Sequence, residues 1–394
     1  MIVQQYKDML KGKSVIRQLS EFATARGQEI GYDNVFDYSL GNPSVPVPQA
    51  FTDTMIDMLQ NMDPMELHGY SQSLGIPAVR EAVAQSLNRR FGMSYTGNHI
   101  FMTTGAAGAI AHALRCVTQP GDEVLTFAPY FPEYQPYINL SGAALRVVPA
   151  QEKDFQINFG AFEEMLTDKV MAVLINTPNN PSGVVYTTDT LQKLAGIMTA
   201  KSEEYGHDIF LISDEPYREI VFAGTDAPYV SRFYDNTLSC YSFSKSLSLP
   251  GERIGYVAVN PACTDAEYIA NMCAQISRGT GHNCPPSIIQ LAVAKVLDMT
   301  ADLSVYERNK NILYKELTSL GFSCVEPGGT FYMFPKAMEE DAVAFCEKAK
   351  KYDLILVPSD SFGVAGYFRI AYCIETGKVE RSLDAFRKFV RAEY

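Results

Sequence analysis

Between about residues 70 and 280, short apolar runs of strand length alternate with longer stretches of helical pattern. The runs lie at 123–127, 145–148, 170–175, 209–213, 238–242 and 254–259, and residues 190–205 form one of the helices between them. A run that is apolar at nearly every position is buried on both faces, as in a parallel sheet covered by helices. The alternation predicts an α/β domain with a mostly parallel sheet. After about residue 284 the pattern changes: a long helical stretch from 287 to about 320, short strands at 329–334, 354–357 and 367–372, and a closing helix near 378–392. That order predicts a smaller α+β unit. Neither an internal repeat nor a low-complexity tract separates the two parts.

Composition narrows the function classes. The chain has 394 residues, 47% of them hydrophobic, enough to bury a large core in two or three domain-sized units. A net charge of −12 argues against nucleic acid or an anionic membrane as the main partner. No run approaches 18 apolar residues, and residues 1–8 lack the core of a signal peptide, so a soluble, cytoplasmic protein is expected. The eight cysteines show no C-x-x-C pair and read as reduced core residues; the five histidines are scattered, and no metal site is expected.

Chemistry is suggested where the strands end. The apolar run 210–213 closes on Asp214, followed by Glu215, Pro216 and Tyr217, the pattern of a buried strand opening into a site. A carboxylate there can hold a pyridine nitrogen protonated; a helix cap is the other use of an Asp in such a place. The run 170–176 empties into a loop with two prolines and a glycine, which presents Asn180 in one orientation, as an ordinary turn also would. Lys245 stands between Ser242, Ser244 and, eight residues on, Arg253. A lysine condenses with an aldehyde only if it can lose its proton, and burial or nearby cations favour that. Ser242, Ser244 and the forked Arg253 suit a phosphate dianion; a basic, serine-rich surface loop is the other reading. At 101–112 a strand passes through Gly105, Ala106 and Ala107 into a helix, whose start is either an anion site or a place of close packing. Arg369 is the polar residue of an alternating strand, suited to a carboxylate or to solvent.

Taken in order, the runs PNNPSG (178–183), SDEPY (213–217), SFSKSLSLPGERIGY (242–256) and FRIAYC (368–373) resemble those of class I/II, fold-type I aminotransferases dependent on pyridoxal 5′-phosphate, the group that includes aspartate aminotransferases. Weaker likeness extends back to about Leu40. The resemblance implies an α/β fold with a large cofactor-binding domain over 50–283, its mixed sheet between helices, and a small domain from 1–49 and 284–394. It implies Lys245 as the amine that bonds the cofactor as an aldimine and shuttles protons, Asp214 on the pyridine nitrogen, and Asn180 and Tyr217 on the phenolic oxygen. It places Ser242, Ser244 and Arg253 on the phosphate with the amides of Gly105, Ala106 and Ala107, and Arg369 with Gly41 on the substrate carboxylate. Phe131, in APYFPEY (128–134), matches the aromatic that stacks on the ring. Tyr70, in GYSQSLG (69–75), matches a tyrosine that reaches the neighbouring subunit's phosphate, which implies a homodimer with shared active sites. One departure stands out: the family often has a lysine or hydroxyl where this chain has Ala106 and Ala107. Phosphate binding then leans on Ser242, Ser244, Arg253 and the backbone.

The implied activity is a two-stage transamination through aldimine and ketimine, from an amino acid to a 2-oxo acid. A C–S β-lyase would share every cofactor residue and differ in what leaves after the Cα proton. A regulator that binds the cofactor without turnover would add a DNA-binding segment, for which the stretch before Gly41 leaves too little room. Arg278 lies near a Cys-Pro-Pro at 284–286, close to where one aspartate aminotransferase subgroup carries an arginine for the substrate's second carboxylate, but about one residue out of register. Broad amino-acid use is therefore expected over strict use of aspartate.

Overall fold

The computed structural model describes residues 2–4, 6–7 and 14–394. Its centre is a seven-stranded sheet of β1 (Ile100–Thr103), β2 (Glu123–Phe127), β3 (Ala144–Val148), β4 (Val170–Asn176), β5 (Phe210–Asp214), β6 (Thr237–Ser242) and β7 (Gly255–Val259). The order across the sheet is β1-β7-β6-β5-β4-β2-β3. Only β7 runs antiparallel to its neighbours. Successive residues of a strand point to opposite faces, and the core divides accordingly. Leu174 and Ile212 join Ile110 and Leu114 on one side, under the helices Gly105–Val117 and Ala266–Gly279. Val173 and Leu211 join Leu191 and Met198 on the other, under Thr188–Tyr205. Burial on both faces is why these strands read as continuous apolar runs.

The sheet order sets the site. With β4, β5 and β6 adjacent and parallel, Asn176 pairs in register with Asp214, and Asp214 with Cys240. Their carboxyl ends therefore open together.

Two smaller sheets complete the fold. Phe36–Asp37 pairs in parallel with Leu354–Ile355, and Phe368–Ala371 lies between Val357–Pro358 and Tyr332–Met333 in an antiparallel trio. They share a core of Leu313, Leu317, Phe345, Phe368, Phe386 and Phe389 with the helices Ser304–Ser319, Ala342–Lys350 and Thr376–Glu393. Among the described residues no helix is long and apolar enough to cross a membrane.

The stretch 287–320, expected as one helix, forms two: Ser287–Ala294 and Ser304–Ser319. Residues 295–303 contain no glycine or proline, so nothing in the pattern marks the break. Tertiary contacts impose it. Asp298 is held by Ser86 and, at 2.8 Å, by Arg89; Asp302 accepts from the Ser304 amide at 3.2 Å; and the Ala301 amide donates to the Ser246 carbonyl at 2.8 Å. Side-chain bonds of this kind compete with helix continuation. The last of these contacts also pins the segment that carries Lys245.

Gly255 opens β7 where three backbones converge. A Cβ there would lie 2.2 Å from the Tyr241 carbonyl oxygen and 3.0 Å from the Gly105 Cα. Backbone cannot rotate away as a side chain can, so Gly255→Ala is expected to destabilise the fold by about 1–3 kcal/mol. A thermal melt should show the apparent midpoint lowered by a few degrees; an unchanged midpoint would mean that the two segments separate freely.

Candidate active site

Asp214 ends β5 with its carboxylate withdrawn from water. The Tyr134 hydroxyl donates to Oδ2 at 2.6 Å, and the Asn176 side-chain amide donates to the Asp214 carbonyl at 2.8 Å. Oδ1 is buried and has no partner among the described residues. Burial lifts the pKa to about 7, against the pull of the Tyr134 bond and with a smaller push from Glu215. A carboxylate so placed lacks a donor on its open side.

Lys245 lies in the short helix Phe243–Ser246 that follows β6. Its Nζ donates to the Gly41 carbonyl at 2.6 Å and sits 5.4 Å from the Phe331 ring centroid. Burial lowers its pKa to about 8; Arg253 and Arg369 act in the same direction, and the Cys373 thiol opposes them. Gly41 has to be glycine, since a Cβ there would stand 1.8 Å from the Tyr332 hydroxyl oxygen.

Beside Lys245 the chain gathers hydroxyls and a guanidinium. Ser242 and Ser244 share a hydrogen bond of 2.6 Å between their hydroxyls, and the Ser244 amide donates to the Ser242 oxygen at 3.2 Å. Arg253 adopts a left-handed φ of 52°, an uncommon conformation for a side chain with a Cβ. Its guanidinium donates to the carbonyls of Pro250 at 3.0 Å and Thr104 at 3.2 Å. The second bond places it at the start of the helix Gly105–Val117, whose open amides favour an anion. Gly105, at φ 82°, permits that approach: a Cβ would lie 3.0 Å from Arg253 Nη2.

Arg369 is a fully buried cation that forms no ion pair among the described residues. It donates to Asn180 Oδ1 at 3.1 Å and to the Ser39 carbonyl, and packs 4.6 Å from the Tyr332 ring centroid. Its Nε has no partner among the described residues. Asn180 is held from behind, its amide donating to Asn176 Oδ1 at 2.6 Å. The Tyr217 hydroxyl donates to that of Tyr332 at 3.3 Å, and burial raises its pKa well above the usual value.

A cavity of about 310 Å³ brings these groups together. Of the residues expected from the sequence, Gly41, Ala106, Ala107, Phe131, Asn180, Asp214, Tyr217, Ser242, Ser244, Lys245, Arg253 and Arg369 all line it. Gly105 lies behind this wall, against Arg253. Tyr70 is fully exposed, and it and Arg278, exposed near the end of Ala266–Gly279, stand outside the cavity. Sequence reasoning missed Tyr134, Asn176, Tyr332 and Ile16. Asn176 carried the same signal as Asp214, a polar residue closing an apolar run. Tyr134 lay in the aromatic run that supplied Phe131. Nothing local marked Tyr332 or Ile16, which arrive from distant parts of the chain.

The family model for class I and II aminotransferases matches residues 33–386. This chain belongs to that family. The aspartate aminotransferase of Thermotoga maritima is 30% identical over 393 residues, covering 96% of this chain and 100% of that protein. Aromatic-amino-acid aminotransferase 2 of Thermococcus litoralis is 29% identical, covering 96% of each. Among solved structures, an amino transferase from Eubacterium rectale superposes with a TM-score of 0.97 at 43% identity, over 99% of this chain and 98% of that one. Aminotransferases of these classes use pyridoxal phosphate to move an amino group from an amino acid to a 2-oxo acid, and this chain is such an enzyme.

The residues present fit that cofactor. The orphaned Asp214 Oδ1 suits a protonated pyridine nitrogen, and the paired serines with Arg253 suit a phosphate. The withdrawn Lys245 amine suits an aldehyde. At a pKa of about 8, roughly one-tenth of that amine is neutral at pH 7, against roughly one part in three thousand for an ordinary lysine near 10.5. Lowering the pKa makes reactivity rise earlier as pH increases. Reductive methylation of the cofactor-free aminotransferase, followed by peptide mass spectrometry, should therefore show Lys245 modification climbing through about pH 8, with surface lysines lagging by about two units. A Lys245 profile that matches the surface lysines would contradict this environment.

Proposed function

We propose that the cavity performs transamination with a division of roles that follows the residues' chemistry. When bound, pyridoxal phosphate supplies an aldehyde for amines and a protonated ring that accepts the electron pair released as Cα loses its proton. Lys245 would hold that aldehyde through its amine and, in its neutral form, would serve as the general base for the substrate Cα proton. Its lowered pKa favours the neutral form that this step needs. Asp214 would hold the ring nitrogen in its protonated form, Asn180 and Tyr217 would serve the phenolic oxygen, and Phe131 would stack on the ring. Ser242, Ser244, Arg253 and the amides of Gly105, Ala106 and Ala107 would hold the phosphate. Arg369, already backed by Asn180 and Ser39, pairs with the substrate α-carboxylate beside Gly41. The observation that carries this reading is Arg369: a fully buried guanidinium with an unused N–H and no acid beside it leaves room for an anion.

The same proposal covers organisation. A large domain spans 50–283, and a small domain combines 1–49 with 284–394; support comes from the pairing of Phe36 with Leu354 across the two ends of the chain. The helix Ser287–Ala294, though, packs with Phe51, Val83 and Tyr256 on the large side. The enzyme works as a cytoplasmic homodimer in which Tyr70, an aromatic left wholly in solvent by its own subunit, serves the second copy's phosphate.

For substrate choice we favour broad use of amino donors. The relatives include both aspartate and aromatic-amino-acid aminotransferases. The cavity offers Ile16, Phe131, Tyr137 and Tyr332, and its guanidinium groups are Arg253 and Arg369. A dicarboxylate reading rests on Arg278, which is exposed and forms no ion pair among the described residues, and so is available to a second copy. If it reads a second carboxylate, Arg278→Ala should lower kcat/KM for aspartate and glutamate about tenfold or more while sparing alanine and aromatic donors. Under the broad reading that we favour, all donors keep their rates.

Two variants test the chemistry. Lys245→Ala should lose the absorbance of lysine-bound cofactor and reduce turnover by orders of magnitude, since one amine fills both covalent and proton-transfer roles. Near-normal transamination would overturn the assignment. Asp214→Ala should lower kcat far more than it raises KM in steady-state assays, because it acts on the charge that develops during deprotonation. An unchanged kcat would remove Asp214 from the ring nitrogen. Pyruvate and ammonia released without an oxo-acid acceptor would indicate β-lyase activity.

A further inference from the structure

We propose that Tyr134 is a positioning residue for transamination: its hydroxyl fixes the Asp214 carboxylate so that Oδ1 stays free and negatively charged for the cofactor's ring nitrogen. The inference rests on Asp214 meeting that nitrogen.

Three contacts determine how Asp214 stands. Asn176 holds its carbonyl at 2.8 Å, which fixes the main chain but leaves the carboxylate free to turn. The same Asn176 amide reaches Oδ2 only at 3.4 Å. Tyr134 alone makes a short bond to the carboxylate, 2.6 Å to Oδ2, and so decides which oxygen faces the cavity. Its ring is locked in turn. Tyr134 opens the helix Tyr134–Ser141, is 1% exposed, and meets Phe131 edge-on at 5.7 Å between centroids. Packing alone would be met equally by phenylalanine, so the hydroxyl has a separate purpose. Burial and the Asp214 charge push the tyrosine pKa well above its usual value, which keeps it a donor.

The consequence is electrostatic. A donor on Oδ2 stabilises the ionised carboxylate and lowers its basicity. Asp214 and the ring nitrogen compete for one proton. A less basic carboxylate leaves that proton on nitrogen, where the positive ring best accepts electrons. Without the tyrosine hydroxyl the proton moves toward Oδ1, the ring becomes neutral, and no other reactant is involved.

The test loads the enzyme with pyridoxal phosphate carrying ¹⁵N in its ring and reads the nitrogen resonance near neutral pH. Wild type should give a pyridinium signal. Tyr134→Phe should move it toward neutral pyridine and lower kcat about tenfold or more with little change in KM, at an unchanged thermal midpoint. An unmoved resonance in Tyr134→Phe would overturn the proposal. Should that variant misfold, 3-fluorotyrosine at position 134, a stronger donor of nearly the same shape, should hold the pyridinium signal to higher pH than wild type; an unchanged pH titration of the resonance would count equally against the proposal. Asp214→Asn separates the premise from the inference. If it too leaves the resonance in place, Asp214 does not meet the nitrogen; if it alone moves the resonance, Tyr134 merely packs.

Discussion

The buried carboxylate of Asp214 is the constraint around which the rest of the structure is arranged. Removing a charge from water is costly unless partners replace the hydration, and a lone buried carboxyl responds by taking up a proton. Here the fold supplies partners on one side only. Tyr134 and Asn176 satisfy Oδ2 and the main chain, while Oδ1 is left without a donor. That asymmetry requires β4 and β5 to end side by side, because Asn176 must reach both Asp214 and the Asn180 amide. The sheet order is therefore part of the chemistry.

Opposite this single acid stand Lys245, Arg253 and Arg369, all lining one cavity. The excess of positive charge favours ligands that bring anions, which a phosphate and an α-carboxylate do. It also makes Lys245 easier to deprotonate, although burial is the larger cause. Two glycines keep the elements close enough for this to work. Gly41 lets its carbonyl accept from Lys245 beneath Tyr332, and Gly105 lets the helix start approach Arg253. At Gly41 a Cβ would collide with the Tyr332 side chain, whereas at Gly105 the left-handed φ of 82° is what favours glycine.

Much of this was legible in the chain because the informative residues are local. The inner strands β4 and β5 appear as nearly unbroken apolar runs, and Asp214 and Lys245 are embedded in short motifs at the ends of β5 and β6. Legibility fails where distance in sequence is large. Tyr332 touches Gly41 and Tyr217 from a short strand that the pattern did mark at 329–334, but nothing local showed that its hydroxyl reaches the site. The interruption of the helical stretch after Ala294 is likewise set by Ser86, Arg89 and Ser246, residues far upstream. Tyr134 was visible yet not assigned, since an aromatic in an apolar setting reads as packing until its hydroxyl is seen to meet a carboxylate.

A partly buried arginine shows how a structural charge is answered by its neighbours. Arg218, close behind the site, meets Glu215 at 2.9 Å, Glu219 at 3.4 Å and the Tyr256 hydroxyl at 2.7 Å, and lies 4.2 Å from the Tyr241 ring centroid. Arg90 meets Glu219 in turn at 2.5 Å. The carboxylates answer the guanidinium, so burial does not discharge it, and the network braces the turn that follows Asp214. Removing one member would strand another charge in the interior, which makes such a cluster costly to break. Arg369 is more deeply buried, yet among the described residues it meets only neutral oxygens, keeps Nε unpaired and opens onto the cavity. Of these two arginines, the one that no carboxylate answers among the described residues is the one that opens onto the cavity.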